Sequence, residues 1–422
     1  MAKRIANKAD NTANNIFDLV ASVNQSAEIL SESKTAVIKD YISSGSYILN
    51  AAMTGSIFRG APTGKVVTLA GNPGTGKSFL AISICREGQK RGYTPIYMDS
   101  EGAIDIDFVK RLGCDPTNFI IMQVTTIDEV STFMANILKK INAKPDESRD
   151  KVIFVLDSLG NLTSEKELTD TIEANQKRDM TKQQAIKALF RCNATALAKA
   201  QSLMVVCSHV YQTLDLFSKR VISGGSGINY NSSVTLMLST SKLDDKESDK
   251  IAEKKVGEFT KTGVIVTAVP EKSRYTIPQK VQFQVPFFKS PNPYVGLEKY
   301  LTWEHDGIME GILISDKEYS KLSTAEKEQI KEFDYNGNTL YAFPKIAGIQ
   351  KNRKIVVKHL GEELSLAELW TSKVLTDDLL HKLDDDVIKP LFELPSRNSF
   401  DDIDEIIETG TCINDNEICD NN

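Results

Sequence analysis

The sequence contains no long apolar run. No stretch of about 18 consecutive apolar residues, the length at which a membrane-spanning helix becomes a candidate, occurs in the 422 residues. The basic segment at the start, residues 1–8, is not followed by the apolar core of a secretory signal. These absences predict a protein without a membrane span that works in the cytoplasm.

Cysteine is scarce, and no two cysteines form a C-x-x-C pair. This spacing argues against a zinc site and against a disulfide framework, and it predicts buried free thiols in a reducing compartment. Hydrophobic residues make up 41% and charged residues 26% of the chain, which is typical of a globular protein. The six cysteines are Cys85, Cys114, Cys192, Cys207, Cys412 and Cys419.

Acidic charge is concentrated at one end of the chain. Residues 377–422 include 14 acidic and 3 basic residues, whereas residues 1–376 include 43 acidic and 48 basic residues. A mildly basic body with an acidic tail is typical of a protein that binds a polyanion and whose tail competes for the same surface. A solubilising, disordered tail is the alternative explanation.

One segment has the pattern G-x-x-x-x-G-K-S of a phosphate-binding P-loop, or Walker A motif. A β-branched run, residues 65–70, precedes it, and a helical pattern of apolar residues, 79–91, follows it. Glycines let backbone N–H groups surround phosphate oxygens, Lys77 supplies a cation to the β- and γ-phosphates, and Ser78 offers a hydroxyl to Mg²⁺. The predicted ATP-binding residues here are Gly71, Asn72, Pro73, Gly74, Thr75, Gly76, Lys77, Ser78 and Phe79.

Acidic residues end two further strand candidates. The apolar run 152–156 leads into Asp157, the form of a Walker B strand whose carboxylate supports Mg²⁺. Asp99 ends the earlier strand candidate 94–99 and Glu101 follows it, and parallel strands place their carboxyl ends at one edge of a sheet. Glu101 is the candidate for activating the attacking water, with Asp99 as the alternative. A helix-capping acid in a loop is the interpretation without catalysis.

His209 ends another strand candidate and would face the same edge, where it could hydrogen-bond the γ-phosphate; a structural histidine is the alternative. Two polar stretches, 165–179 and 210–231, also belong to this edge. Cations, aromatic residues and glycines suit loops that follow phosphates and stack bases. Plain surface loops are the alternative, although long loops in compact domains are usually functional or disordered. The predicted DNA-binding residues are Lys177, Arg178, Tyr211, Phe217, Lys219, Arg220, Gly224 and Gly225.

The order of elements predicts an α/β fold. Buried, non-alternating strand candidates separated by helices are typical of a parallel, doubly wound sheet, and later strands with short connections should pair antiparallel. One helix is predicted from Asp105 to Leu112, stopped by Gly113, and two more are predicted to begin at the capping box Thr126-x-x-Glu129 and at Thr181-x-x-Gln184. The strand candidates are 65–70, 94–99, 119–123, 151–157, 203–209, 233–239, 263–269 and 281–288.

Composition divides the chain into four predicted parts. Residues 1–45 form a peripheral arm, 46–296 a P-loop NTPase core, 297–395 a mixed C-terminal region, and 396–422 an acidic disordered tail. We assign no function to 297–395 or to the charged segment 242–258 inside the core.

Taken together, these residues resemble the RecA family of recombinases, and more closely its T-even phage type, UvsX. The resemblance covers residues from about 40 to 300, and it depends on an ordered set of motifs. The interior of the P-loop, 72–75, differs from both types but keeps the Gly, Lys and Ser chemistry. Beyond the residues already named, the set comprises Asp157-Ser158-Leu159-Gly160-Asn161-Leu162, Asp179-Met180-Thr181, Lys187-x-Leu189-Phe190-Arg191, Phe217-Ser218-Lys219, Gly224-Gly225-x-Gly227 and Glu271-Lys272-Ser273-Arg274.

The resemblance implies roles that the residues alone do not show. Glu101 would activate the hydrolytic water, and His209 would take the place of a glutamine that senses the γ-phosphate in bacterial members. Residues 164–180 and 210–230 would be the first and second DNA-binding loops. These roles are expectations for the structure.

The same resemblance implies that ATP joins neighbouring protomers. Lys272 and Arg274 would reach the ATP of the next protomer, so that ATP stabilises a filament; solvated charges on a hairpin are the alternative. We therefore expect an ATP-dependent DNA recombinase with Mg²⁺ as cofactor and DNA-stimulated hydrolysis of ATP to ADP. Protomers would polymerise on single-stranded DNA through the arm at 1–45 and exchange strands with homologous duplex DNA.

This expectation also implies which partners the protein would have and where it would act. Mediator or loader proteins and single-strand-binding proteins would be partners, no membrane would be involved, and the chain would be phage-encoded and act in the host bacterial cytoplasm. Two other hypotheses remain: a ring-forming DNA helicase or motor of the same fold, and an ATP-binding adaptor that does not hydrolyse ATP.

Overall fold

An eight-stranded sheet forms the centre of the described part of the chain. The computed structural model describes residues 16–24, 27–30, 33, 37–172, 181–212, 220–224, 226–240, 263–286, 291–297, 300, 308–311, 313–314, 319–328, 331–335, 338–342, 354–357, 362–365, 372 and 375–394. In chain order the described strands are β1 (Tyr41–Ile42), β2 (Ala61–Pro62), β3 (Val66–Gly71), β4 (Thr94–Asp99), β5 (Ile120–Gln123), β6 (Val152–Asp157), β7 (Leu203–Ser208), β8 (Val210–Gln212), β9 (Arg220–Ile222), β10 (Val234–Thr240), β11 (Gly263–Ser273), β12 (Val281–Pro286), β13 (Ile308–Gly311), β14 (Leu313–Ile314), β15 (Lys331–Tyr335), β16 (Asn338–Ala342), β17 (Lys354–Val357) and β18 (Glu362–Ser365).

Helices alternate with these strands through the first half of the chain. Within the described ranges, none of the helices is both long and apolar enough to cross a membrane. The described helices are α1 (16–23), α2 (Tyr47–Thr54), α3 (Lys77–Gln89), α4 (Ile106–Arg111), α5 (Ile127–Asn142), α6 (Glu165–Ile172), α7 (Lys182–Ala200), α8 (Ser226–Asn231), α9 (Thr324–Lys327), α10 (Asp377–Leu383) and α11 (Lys389–Phe392).

The strand order of the central sheet is β12-β11-β10-β3-β7-β6-β4-β5. Strands β10 to β5 in that order are parallel, and β10, β11 and β12 pair antiparallel at one side. This confirms the predicted α/β fold with a parallel sheet extended by antiparallel strands. Continuous apolar strands are buried on both faces, which is why their sequence showed no alternation.

Each face of the sheet has its own hydrophobic core. Alternate residues of one strand, such as Ile153 and Val155, join the cluster that contains α2 and α3, whereas Phe154 and Leu156 join the cluster with α5 and α7. Because side chains of a strand alternate between faces, the two helix layers pack on opposite sides. The arrangement leaves the loops at the carboxyl ends of the strands open for a site.

Two of the three predicted helices begin with a capping side chain, of which only that of Thr126 was expected from the sequence. Asp105 accepts a hydrogen bond from the backbone N–H of Phe108 at 2.7 Å, and Thr126 accepts one from that of Glu129 at 3.1 Å. Helix α7 begins at Lys182, but Thr181 has helical backbone angles and its side chain makes no capping hydrogen bond. The capping role expected of Thr181 is therefore wrong, because its backbone already continues the helical conformation.

The two predicted loops contain regular structure. Within 164–180, residues 165–172 form α6, which begins where Ser164 Oγ accepts a hydrogen bond from the N–H of Glu167 at 2.9 Å. Within 210–230, β8 and β9 form an antiparallel hairpin and α8 follows it. The pattern Ser164-x-x-Glu167 is a helix-start signal that polarity alone does not reveal. The segment 242–258 lies outside the described residues.

The C-terminal segment packs on the core. Leu380, Ile388 and Phe392 are buried in the same cluster as α2, and the backbone N–H of Ile277 donates to the carbonyl of Phe392 at 2.8 Å. Arg59 forms an ion pair with Glu393 at 2.8 Å. Residues 308–365 contribute two separate three-stranded sheets, β13-β17-β18 and β14-β16-β15. The domain boundaries themselves stay a prediction.

One buried carboxylate ties this segment to the core, and we expect its loss to be costly. Asp384 is 2% exposed and accepts hydrogen bonds from Ser56 Oγ at 2.6 Å and from the N–H of Ile57 at 2.8 Å. Asp384→Ala leaves both donors buried without this acceptor, which should lower the free energy of unfolding by about 3 kcal/mol. Denaturant unfolding followed by circular dichroism measures the loss.

Asp385→Ala is the matched control for this prediction. Asp385 is 62% exposed and pairs with Lys389, so its removal should leave the free energy of unfolding close to that of the wild type. Equal effects of the two substitutions would contradict the anchoring role of Asp384.

Candidate nucleotide-binding and hydrolysis site

The P-loop joins the carboxyl end of β3 to the amino end of α3. Gly74 and Gly76 have φ angles of 78° and 82°, in a region that residues with a Cβ rarely adopt. Gly76 is also the N-cap of α3, where an added Cβ would lie 3.0 Å from Val285. The free N–H groups and positive dipole end of this 13-residue helix suit a phosphate group.

Lys77 lies inside the loop. Its side chain is buried, and Nζ donates hydrogen bonds to the carbonyls of Gly71 and Asn72, both at 3.0 Å. Burial lowers the pKa of Lys77, whereas Cys207, Asp157 and Glu101 act to raise it. The lysine therefore lies among the groups that the sequence analysis assigned to one site.

Asp157 ends β6 and is 6% exposed. Tyr97 Oη donates a hydrogen bond to its Oδ2 at 2.5 Å. Burial, together with the neighbouring Asp157 charge, raises the pKa of Tyr97 and of the Cys207 thiol well above their ordinary values. Both neighbours are therefore protonated at neutral pH, and they can donate hydrogen bonds to the carboxylate.

The donor set near the P-loop fits Mg²⁺. Ser78, in the first turn of α3, supplies a hydroxyl, and Asp157 supplies a carboxylate. Mg²⁺ in sites for nucleoside triphosphates is bound by one or two protein oxygens, phosphate oxygens and water. Ser78 and Asp157 would hold the ion in this way, as predicted from the two motifs.

Glu101 follows β4 and accepts two hydrogen bonds at one oxygen. Its Oε1 lies 2.7 Å from Ser158 Oγ and 3.0 Å from His209 Nε2. Burial alone would raise the pKa of Glu101, but the hydrogen bonds from Ser158 and His209 and the nearby Lys77 lower it below its ordinary value. The structure thus places an ionised carboxylate next to His209, although 108 residues separate the two in sequence.

Asp99, the alternative to Glu101, has a different environment. Its carboxylate is buried and accepts hydrogen bonds from the backbone N–H groups of Glu101 at 2.9 Å and Gly102 at 2.8 Å. These bonds hold the loop that carries Glu101. We therefore keep Glu101 as the catalytic candidate and assign Asp99 the orientation of its loop.

The β8–β9 hairpin is attached to the strand end that carries His209. Ser208 Oγ donates to the carbonyl of Ser223, and the N–H of Ser223 donates to the carbonyl of His209, both at 2.7 Å. Gly224 has a φ of 106°, and a Cβ there would lie 2.8 Å from Leu159. The second predicted DNA-binding loop is thereby fixed at its base to the strand end that carries His209.

The predicted DNA-binding residues are only partly described. Tyr211 is on β8 and is 51% exposed, as a base-stacking residue needs to be. The backbone of Arg220 belongs to β9, and Gly224 follows that strand at the base of the hairpin. The others lie outside the described residues: Lys177, Arg178, Phe217, Lys219 and Gly225.

Lys272 and Arg274 lie at the end of the sheet opposite to the P-loop. Lys272 pairs with Thr235, which pairs with Thr68 of β3, and Arg274 follows the end of β11. The P-loop leaves β3 only after Gly71, at the opposite end of that strand. Lys272 Nζ donates to the carbonyls of Asn229 at 2.5 Å and Tyr230 at 3.1 Å, near the C-terminus of α8.

Several residues of this site were missed by the sequence analysis. Tyr97 contacts the Asp157 carboxylate, Ser158 contacts Glu101, and Ser208 and Ser223 fix the hairpin. Ser158 follows Asp157 directly, so its position beside the strand end could have been found. Tyr97 gave a weaker signal, a hydroxyl inside an apolar strand two residues before Asp99.

A comparison with known protein families establishes the family of this chain. A family model described as the RecA N-terminal domain matches residues 22–275. The chain belongs to the RecA family. This confirms the family expected from the motifs, and the RecA match spans both the P-loop and Lys272 and Arg274.

Individual relatives agree with the RecA assignment. The recombination and repair protein of Enterobacteria phage T4 is 29% identical over 280 residues, which is 66% of this chain and 67% of the relative. Protein RecA of Mesoplasma florum is 22% identical over 243 residues, 57% of this chain and 66% of that protein. Protein RecA of Ureaplasma parvum serovar 3 is 26% identical over 259 residues, 58% of this chain and 70% of that protein.

Proposed function

We propose that this RecA-family chain is an ATP-dependent DNA recombinase that assembles on single-stranded DNA and exchanges strands with homologous duplex DNA. The observation that carries the proposal is the contact between Glu101 and His209. This contact joins Glu101, the candidate for activating the hydrolytic water, to the end of β7, where the second predicted DNA-binding loop begins. The phage relative, a recombination and repair protein, supports the same function, and no observation favours a ring-forming helicase.

The residues of the site would have distinct roles in ATP hydrolysis. The P-loop and the amino end of α3 would bind the phosphates, and Lys77 would neutralise charge at the β- and γ-phosphates. Bound Mg²⁺ would neutralise the charge that develops on the transferred phosphoryl group. Glu101, ionised because of its lowered pKa, would accept a hydrogen bond from the attacking water and orient it.

His209 would connect this chemistry to DNA. Its Nε2 lies against Glu101, and its backbone carbonyl accepts a hydrogen bond from Ser223 of the hairpin. A shift of the hairpin on DNA would therefore move the group that contacts the hydrolytic carboxylate. This supports hydrolysis that depends on DNA.

Two exposed apolar surfaces support self-association. Edge strand β5 carries Ile120 and Ile121 at 50% and 48% exposure, and α1 exposes Leu19 and Val23 at 68% and 84%. Unpaired edge strands offer backbone groups to a strand of another molecule. We propose that protomers assemble into a helical filament through the arm at 1–45. Mediator and single-strand-binding proteins, and action in the cytoplasm of a bacterial host, belong to the same proposal.

An ATPase assay with and without single-stranded DNA tests the function. We expect hydrolysis to rise severalfold with DNA, and binding to weaken with salt because each neutralised phosphate releases counterions. Negative-stain images should show open filaments of variable length on DNA. Closed rings would favour the helicase, and ATP binding without hydrolysis would favour the adaptor.

We expect Lys272→Ala to suppress DNA-dependent hydrolysis by about tenfold or more. Lys272 is distant along the sheet from its own P-loop, so it would act on the ATP of the next protomer. Steady-state hydrolysis with saturating DNA measures the loss. Lys280→Ala, an exposed cation in the β11–β12 turn, is the control, and wild-type turnover in Lys272→Ala would remove Lys272 from the shared site.

The paired substitution Lys219→Ala/Arg220→Ala should weaken DNA binding while ATP binding stays within about twofold of wild type. Removing a cation that binds a phosphate should also flatten the dependence of affinity on salt, by about one unit of slope for each such cation. Fluorescence anisotropy with labelled single-stranded DNA measures both quantities. Lys139→Ala/Lys140→Ala, two exposed lysines near the end of α5, is the control, and parallel loss of ATP and DNA binding would indicate misfolding instead.

A further inference from the structure

Tyr97 carries a hydroxyl that packing alone does not explain. The residue is in β4, has no exposed surface, and belongs to the core cluster on the α3 side of the sheet. Its ring stacks on Phe119 with centroids 5.8 Å apart, a contact that phenylalanine would make equally well. A buried hydroxyl destabilises a core unless it is hydrogen-bonded. The position of Tyr97 Oη therefore points to the group that it contacts.

That group is the carboxylate of Asp157, approached from inside the core. Tyr97 lies opposite Val155 in the register of β4 and β6, and Asp99 lies opposite Asp157. Tyr97 is thus two residues behind Asp157 along the strand direction, whereas the P-loop lies beyond the strand ends. From this side, away from the strand ends, its hydroxyl reaches Oδ2 at 2.5 Å.

We propose that Tyr97 is a positioning residue that donates to Oδ2 of Asp157 and so restricts the rotation of the carboxylate that would support nucleotide-bound Mg²⁺. The inference rests on the proposed ATPase function and adds a determinant of its metal affinity. Partners behind a metal-supporting carboxylate restrict its rotation, and their loss typically weakens metal affinity or activity by about 10- to 100-fold. Here the triphosphate holds Mg²⁺ as well, so the effect should be smaller.

Tyr97→Phe removes only the hydroxyl and is the test. Binding of a fluorescent ATP analogue is titrated with Mg²⁺, starting from EDTA. We expect the Mg²⁺ concentration at half-saturation to rise by about five- to tenfold, while affinity in EDTA stays within about twofold of wild type. The rate constant kcat at low Mg²⁺ should fall and should recover at high Mg²⁺.

Tyr93→Phe is the matched control. Tyr93 is also buried and also donates to a carboxylate, Asp40 Oδ2 at 3.2 Å, but it precedes β4 at the opposite end from the site. Its Mg²⁺ half-saturation should equal that of wild type. In the background of Asp157→Ala, Tyr97→Phe should cause no further change in the Mg²⁺ half-saturation, because the side chain that Tyr97 positions is gone.

The outcomes separate this inference from the proposed function. Unchanged Mg²⁺ half-saturation in Tyr97→Phe, with an active wild type, overturns the inference alone. A Tyr97→Phe chain that unfolds while Tyr93→Phe folds also overturns it, because the hydroxyl would then stabilise the core. A wild-type chain that binds no nucleotide overturns both proposals.

Discussion

Lys77→Ala should reduce ATP hydrolysis by roughly 100-fold or more, the usual effect of removing one preorganised electrostatic donor. Lys77 is the buried cation of the P-loop, and Asp157 and Glu101 lie close enough to affect its pKa. Without it, the β- and γ-phosphates would lose their direct protein counter-charge, and the carbonyls of Gly71 and Asn72 would lose their donor. Phosphate release at saturating single-stranded DNA measures the effect.

Lys90→Ala is the control for Lys77→Ala. Lys90 follows the other end of α3, where it pairs with Glu87 at 2.8 Å and is 62% exposed. An exposed ion pair of this kind contributes less than about 1 kcal/mol to the free energy of unfolding. Lys90→Ala should therefore fold normally and hydrolyse ATP at the wild-type rate. Normal turnover in Lys77→Ala would remove the P-loop lysine from the reaction.

Glu101→Gln should lower the DNA-stimulated rate by about 100- to 10,000-fold, the range for loss of a general base, with ATP binding within about threefold of wild type. Glutamine keeps an oxygen for the hydrogen bonds from Ser158 and His209 but cannot take a proton. The variant should therefore bind DNA with ATP and release it slowly. Rapid-quench hydrolysis and anisotropy decay after ATP dilution measure the two effects.

The pH dependence of the wild type gives a second test of Glu101. Its pKa is lowered from an ordinary value of 4.5, so the carboxylate is ionised across the neutral range and its protonation would reduce the rate only below that pH. If the hydrolysis rate instead declined at low pH with a midpoint near neutrality, protonation of a group other than Glu101 would be responsible. Glu87→Gln, at the far end of α3, should change neither the rate nor the pH profile.

The parallel sheet and its site edge were predictable because single segments encode them. The runs ending at Gly71, Asp99 and Asp157 form buried strands within one residue of their expected limits. Their apolar, β-branched composition and the acid or glycine at each end act locally. Parallel topology then brings the ends together without further information.

Contacts between distant segments were not predictable in this way. The bonds from Ser158 and His209 to one oxygen of Glu101 depend on three strand ends meeting. Asp384 binds the loop at Ser56 and Ile57 across more than 300 residues of sequence, and no periodic pattern signals such a contact. Polarity alone also misjudged 165–172, where a helix forms because Ser164 caps it.

The position of Lys272 and Arg274 at the far end of the sheet has a consequence for short assemblies. If each ATP is completed by cations from the next molecule, a filament always has one fewer complete site than it has protomers. A dimer would then hydrolyse ATP at half of its sites, and the rate per protomer would climb with length towards a plateau. The terminal molecule would retain its triphosphate longest, so growth and loss at the two filament ends would proceed at different rates.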